Sequence, residues 1–414
     1  MRRSSCRRRK SAAKELPREI METILERLPT RDAARCALLS TQWRAAWYSQ
    51  GRLVFDWAFC CSITSMYKFN KASQDECFSV VSIINSILML RSGPIRIFTL
   101  DYPGRLNDLC RAMPLPQANM DGWCVFLSKN GVEELDLSTS HPGHFKLPSC
   151  IVSCNTIKHL TLECFDFSLP VNAGCIFPGL LSAVFRRVWF RGNYDQGLVF
   201  SIPNLEKLAF DSCTGVTNFV IRAPKLKSLT LFRCVIRGNS IQSGLTLALI
   251  LSNVKTLAIC FSLSSDTAVS RGTDVTFQTA INLREGKLDS FNFGFEKHLI
   301  FVVELLKKTP RLCTLEINIQ EGSREGDPAL LEDLFKANFR MLEKLTLNRF
   351  HGSKMELCLV KLLLSKSPAL QKVVIHGAQD INDSWALRAP EKFLSFPRAS
   401  PKVHIVYNSW STNP

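Results

Sequence analysis

The chain has 414 residues, 46% hydrophobic and 21% charged, a balance that excludes disorder over most of its length. Its most apolar stretch, 245–261, is broken by Ser252, Asn253 and Lys255, so no membrane span is expected. The net charge of +16 is scattered beyond the first ten residues, which argues against a dedicated nucleic-acid binder.

In chain order, residues 1–15 come first and carry Arg2, Arg3, Arg7, Arg8, Arg9 and Lys10. They read as a disordered basic tail, either simply solvated or a nuclear-import tract. No apolar core follows the arginines, so no secretory signal is expected. The 16 cysteines fall at irregular spacing inside apolar segments, as free thiols in a reducing compartment would. The expectation is an intracellular protein, in the nucleus and/or the cytoplasm.

Residues 16–60 predict three short helices. Leu16, Ile20, Ile24 and Leu28 recur every four residues, with Met21 and Leu25 beside them, which is a helical stripe. Pro17 suits the first turn and Pro29 ends the helix. Thr30 is placed as the cap of a second helix, burying Ala33, Ala34, Ala37 and Leu38. Ser40 starts a third, with Trp43 and Trp47 on one face. Forty residues are too few for a self-sufficient core, so such a unit exposes apolar surface that a partner covers. Residues 61–94 form a helical linker, with a helix over 80–90.

From residue 95 to 329 one pattern returns: apolar, two residues, apolar, one residue, apolar. It is carried by Ile95/Phe98/Leu100, Val132/Leu135/Leu137, Ile157/Leu160/Leu162, Leu180/Ala183/Phe185 and Leu205/Leu208/Phe210. Leu226/Leu229/Leu231, Val254/Leu257/Ile259, Leu288/Phe291/Phe293 and Leu312/Leu315/Ile317 follow, and Leu342/Leu345/Leu347 and Leu370/Val373/Ile375 extend it. The last two apolar residues of each set are two apart and share one face of a short strand. One such unit cannot bury that face alone, whereas stacked units share a core. The fold class is therefore α/β: a three-helix N-terminal unit, then a leucine-rich-repeat solenoid with a parallel sheet on its concave face. The residue between the two apolar ones faces solvent and is free to recognise a target, so Thr161, Thr230, Asn292, Glu316 and Thr346 are candidate target-binding positions. Early returning segments such as 145–153 and 168–178 look irregular. Later ones, 301–308, 327–337 and 354–365, look helical, the last with a Ser353/Glu356 capping box. Residues 330–414 form terminal repeats and a cap, ending in a strand with Val403, Ile405 and Tyr407.

Residues 16–55, with Leu16-Pro17, Ile20, Ile24, Leu28-Pro29, Asp32, Leu39-Ser40 and Trp43-Arg44, resemble an F-box. The run from 330 to 407 is similar to the FBD region that closes many plant F-box/LRR proteins. The resemblance implies a module that docks on a Skp-type adaptor and through it on a cullin. It makes Leu16, Pro17, Ile20, Ile24, Leu28, Pro29 and Trp43 adaptor-facing or supporting residues. The implied role is the substrate-recognition subunit of an SCF-type ubiquitin ligase, holding a target protein on the solenoid. A co-receptor for a small anionic ligand and a non-ligase interaction scaffold remain open as alternatives.

Catalytic signatures are missing. There is no GxGxxG after a strand, no GxxxxGK[ST], no HExxH and no GxSxG. His141, His144, Cys150 and Cys154 have spacings that could hold zinc but sit in a Pro/Gly-rich stretch, and an ordinary loop is the better reading. Residues 185–194 combine four aromatics with three arginines and are either a recognition loop or strand packing. The expectation is a non-catalytic protein without cofactor or metal, binding neither nucleic acid nor membrane.

Overall fold

The computed structural model describes residues 16–67, 75–102, 115–139, 145–168, 174–191, 198–215, 219–233, 253–261, 282–320, 331, 339–379 and 383–409. The basic tail, the 141–144 stretch and nearly all of the helix expected over 327–337 lie outside them. Two compact units divide the chain, Met1–Ser140 and His141–Pro414. No helix among the described residues is long and apolar enough to cross a membrane.

In the first unit, α1 (Arg18–Arg27), α2 (Thr30–Cys36) and α3 (Thr41–Ser49) are the three expected helices. α1 buries Met21 and Leu25, and α3 buries Ala46 and Trp47. Ser40 caps α3, its Oγ accepting the Trp43 N–H at 3.3 Å. Of the four residues expected in the core from α2 only Ala33 is buried, Ala34 and Ala37 being half-buried, and two expectations fail outright. Thr30 is the first residue of α2, not its cap, and its buried Oγ1 accepts the Val54 N–H at 2.9 Å. Leu38 is not buried, because α2 ends at Cys36 and Leu38 stands in the turn beyond it.

β1 (Arg52–Phe55), α4 (Trp57–Tyr67), α5 (Asp75–Met89), β2 (Ile97–Tyr102), α6 (Gln117–Lys129) and β3 (Glu134–Thr139) complete this unit. The three strands are parallel and in register, Leu53 and Phe55 matching Phe98 and Leu100, then Leu135 and Leu137. The periodicity of residues 16–60 gives no sign of β1, whose RLVF segment nevertheless pairs in the sheet with Leu53 and Phe55 fully buried. Its open edge is blunted by the bond from Val54 to Thr30, which satisfies a donor that an edge strand would otherwise offer. Two polar side chains, buried Gln50 and half-buried Arg91, pack against these helices. Gln50 donates from Nε2 to the Leu25 carbonyl (2.9 Å), satisfying an acceptor at the end of α1. Arg91 lies 4.2 Å over the Trp47 ring and donates from Nη1 to the Trp47 carbonyl (2.6 Å). Burial pushes Arg91 down to about 10, so it keeps its charge at neutral pH and these contacts offset its desolvation.

In the second unit the main sheet runs in the order β5 (His159–Glu163), β7 (Ser182–Arg186), β10 (Lys207–Asp211), β12 (Ser228–Phe232) and β13 (Thr256–Cys260). It continues through β14 (Glu285–Phe291), β15 (Thr314–Ile319), β16 (Lys344–Phe350), β17 (Lys372–Gly377) and β18 (His404–Asn408). Every pair is parallel, and the apolar rungs match across the strands: Leu229 opposite Leu208 and Leu257, Leu231 opposite Phe210 and Ile259. All are buried. The chain leaves the sheet through left-handed residues at matching places, Cys164, Arg187, Ser212 and Arg233, with φ of 62°, 50°, 54° and 47°. A tight turn off a parallel strand uses this backbone region, unfavourable for L-residues, because the next rung fixes the direction of departure.

The early returning segments are more regular than the sequence suggests. β4 (Phe145–Lys146), β6 (Phe165–Ser168) and β8 (Trp189–Arg191) form a second parallel sheet. α7 (Ser149–Val152) is a single turn, and β9 (Leu198–Ser201) pairs with β11 (Phe219–Arg222). Elements of two to four residues are too short for periodicity to reveal. Later returns are helical as expected: α8 (Glu296–Lys308) and α9 (Lys354–Lys366). The capping box forms in full, Ser353 Oγ accepting the Glu356 N–H (3.3 Å) and Glu356 accepting the Ser353 N–H (2.9 Å). α10 (Asp383–Leu394) buries Phe393 against Phe350 and Tyr407, ring centroids 5.9 and 6.1 Å apart.

One repeat is displaced from its expected place. The pattern read as Leu288/Phe291/Phe293 is in the structure Leu283/Gly286/Leu288, with Gly286 opposite Leu257 and Leu315. Glycine occupies a rung held by an apolar side chain elsewhere, and the Cδ1 atoms of Leu312 and Leu315 pack beside it, 3.5 Å from where a Cβ would stand. The strand-central residue is therefore Lys287. Asn292 follows β14 and is only 5% exposed. Its Oδ1 accepts the Gly294 N–H (2.8 Å) and its own N–H donates to His298 Nδ1 (3.0 Å). It is a buried turn residue and does not belong to the solvent-side face.

Candidate functional site

The chemistry of the first unit is that of an exposed apolar surface. Leu16, Ile20 and Ile24 are 45%, 46% and 37% exposed, while Met21 and Leu25, each the next residue along α1, are turned into the core and buried. Spacing of four places Ile20 and Ile24 on one face of α1, and Leu16 stands just before the helix, ahead of Pro17. Pro17 immediately precedes α1 and is exposed; Leu28 and Pro29 close it, half-buried and exposed respectively; Trp43 is half-buried on α3. Leu38 and Leu39, 81% and 69% exposed, add the most open apolar side chains of this region. Sequence reasoning placed Leu38 in the core; the alternative signal was Leu38-Leu39 immediately before the cap Ser40. On the helix flank, the Arg18 guanidinium (2.9 Å) holds the Glu22 carboxyl below its ordinary value, and Ser49 Oγ donates to the same oxygen at 3.0 Å. No metal-binding group of three or more His, Cys, Asp or Glu occurs among the described residues.

The second unit presents a row of strand-central residues. Thr161, Val184, Ala209, Thr230, Ala258, Lys287, Glu316, Thr346, Val374 and Val406 are successive partners across the sheet. Thr161, Thr230, Glu316 and Thr346 thus share the expected half-exposed face. Lys287 takes the place assigned to Asn292. The row is neutral from Thr161 to Ala258, and then a polar network begins. Lys287 Nζ lies 3.0 Å from Glu316 Oε1, which raises the lysine's pKa, and Asn348 Nδ2 donates to the same oxygen at 3.2 Å. Asn318 joins Asn348 to Asp289 by further side-chain bonds. The aromatic–arginine segment is mostly packing: Phe185, Val188 and Phe190 are buried, and Arg191 lies 2.7 Å from Asp166. Trp189 alone of its described aromatics is exposed.

Comparison with known proteins agrees with both halves. The F-box domain family model matches residues 14–55, and the model described as FBD-associated F-box protein At5g56370, LRR repeats, matches residues 120–284. The F-box/FBD/LRR-repeat protein At1g13570 of Arabidopsis thaliana is 26% identical over 426 residues, covering 95% of this chain and 97% of that protein. The putative F-box/LRR-repeat protein At3g42770 of the same plant is 24% identical, with coverages of 94% and 79%. The chain carries an F-box at its N-terminus and a leucine-rich-repeat region after it, the arrangement of the F-box/FBD/LRR-repeat proteins it resembles.

Proposed function

We propose that this protein is the substrate-recognition subunit of an SCF-type ubiquitin ligase, acting in the nucleus or cytoplasm. The F-box holds a Skp-type adaptor, and through it a cullin; the solenoid holds a target protein. The observation that carries the reading is the apolar stripe Leu16, Ile20 and Ile24, left open on a segment that matches the F-box domain. F-box domains generally bind Skp-type adaptors, and an apolar face of this kind is stabilised by being covered. The protein needs no catalytic group of its own in this role. It raises the target's effective concentration beside a charged conjugating enzyme. The strand-central residues Thr161, Thr230, Lys287, Glu316 and Thr346 are the positions from which a target would be read.

Co-purification of the full chain with a Skp-type adaptor tests the reading. Ile20 is half exposed in the free chain, so Ile20→Asp should leave the melting temperature within a few degrees. It should weaken adaptor binding by roughly 2–4 kcal/mol through burial of an unpaired charge. A well-folded wild-type chain that fails to bind would refute the proposal, as would an Ile20→Asp variant that binds normally.

A further inference from the structure

Along the strand-start edge of the second unit, the residue before each strand is hydrogen-bonded to its counterpart in the preceding repeat. The Lys227 N–H donates to the Glu206 carbonyl (2.8 Å), Lys255 to Lys227 (2.7 Å) and Arg284 to Lys255 (2.9 Å). Three cations therefore stand on consecutive rungs, about 4.8 Å apart. Like charges placed side by side destabilise a ladder, and the core does not require them, since all three are exposed. Lys227 has Glu206 2.9 Å away. Neither Lys255 nor Arg284 makes an ion pair among the described residues. Lys225 adds a fourth cation, its Nζ donating to Asn204 Oδ1 at 2.8 Å. Against these four stand Glu206 and Glu285.

An open groove of about 360 Å³ lies at this rim, lined by Glu206, Lys225, Lys227, Asn253, Lys255 and Asn282, beside buried Leu226. The strand-central residues beside Glu206, Lys227 and Lys255, which are Ala209, Thr230 and Ala258, carry no charge, while that beside Arg284 is Lys287, already paired with Glu316. Lys227 holds the Glu206 carboxyl below its ordinary value.

We propose that this rim is a docking groove for an acidic peptide segment of a protein partner, whose carboxylates neutralise the stacked Lys227, Lys255 and Arg284. Among the described residues no aromatic side chain lines the groove to stack a nucleotide base, which favours a peptide over RNA. The inference deepens the receptor reading by giving the chemistry of a target. It rests on that reading only for the partner's being a target, and its test involves no adaptor, so either can fail alone.

The test is fluorescence anisotropy of the full chain with labelled decaglutamate, with decaglutamine and a uridine decamer alongside. Decaglutamate should bind, decaglutamine should not, and affinity should fall as salt rises from about 50 to about 200 mM. Lys225→Glu/Lys255→Glu should weaken binding about tenfold or more. Lys344→Glu/Lys372→Glu, an equal charge change at exposed rim positions of later repeats, should weaken it less than about threefold. If charge reversal lowers the melting temperature, Lys225→Gln/Lys255→Gln takes its place. Equal losses in both double variants, no binding by the wild type, or tighter binding of the uridine decamer would overturn the proposal.

Discussion

His298 shows how a single side chain sets a pH dependence. Its ring lies against Phe261 (centroids 4.1 Å apart), with Phe295 and Phe291 at 5.3 and 5.6 Å, and Nδ1 accepts the Asn292 N–H. Burial pushes its pKa down from 6.5 to about 4, so the folded protein holds it neutral. Between those values the unfolded chain binds the proton and the folded chain does not. Its contribution to stability is therefore complete above pH 6.5 and is lost as pH falls toward 4, amounting to about 3 kcal/mol at most. Urea unfolding at pH 7 and pH 4.5 should show a larger loss for wild type than for His298→Gln. Equal losses would mean that the imidazole is hydrated in the folded state. The sequence could not announce this residue, because the aromatic box comes from segments far apart in the chain, 261 and 291–298.

At the scale of elements, repeats constrain their turns more tightly than their strands. Gly179 precedes β7, and a Cβ there would overlap the carbonyl oxygen of Asn155, a backbone atom that cannot swing aside. Gly179→Ala should therefore cost roughly 2–3 kcal/mol in urea unfolding. A loss below about 0.5 kcal/mol would show that the two turns are not in close contact. Local signals of side-chain chemistry were legible: Ser40 and the Ser353/Glu356 box were read from sequence because caps depend on residues three apart. Thr30 was misread because its oxygen is taken by Val54 of β1, a partner 24 residues away. Likewise Gly286 hid a repeat, since a rung filled by neighbouring leucines leaves no apolar letter in the pattern. That one glycine makes the sequence pattern point to Asn292, when the solvent-facing residue of this repeat is Lys287.

At the scale of the whole molecule, the order of F-box and repeats was legible because both are written in short-range periodicity. What a single repeat cannot encode is which outward residues act together, since that depends on register across strands: the Lys287–Glu316–Asn348 network joins three repeats. The central claim is a division of labour, with the helical unit holding the adaptor and the repeats left free for a target. Amide hydrogen exchange of the full chain, alone and saturated with a Skp-type adaptor, tests it most directly. The account predicts slowed exchange within residues 16–50 and unchanged exchange across the described segments of 145–409. Protection across the repeats with none in residues 16–50 would contradict it.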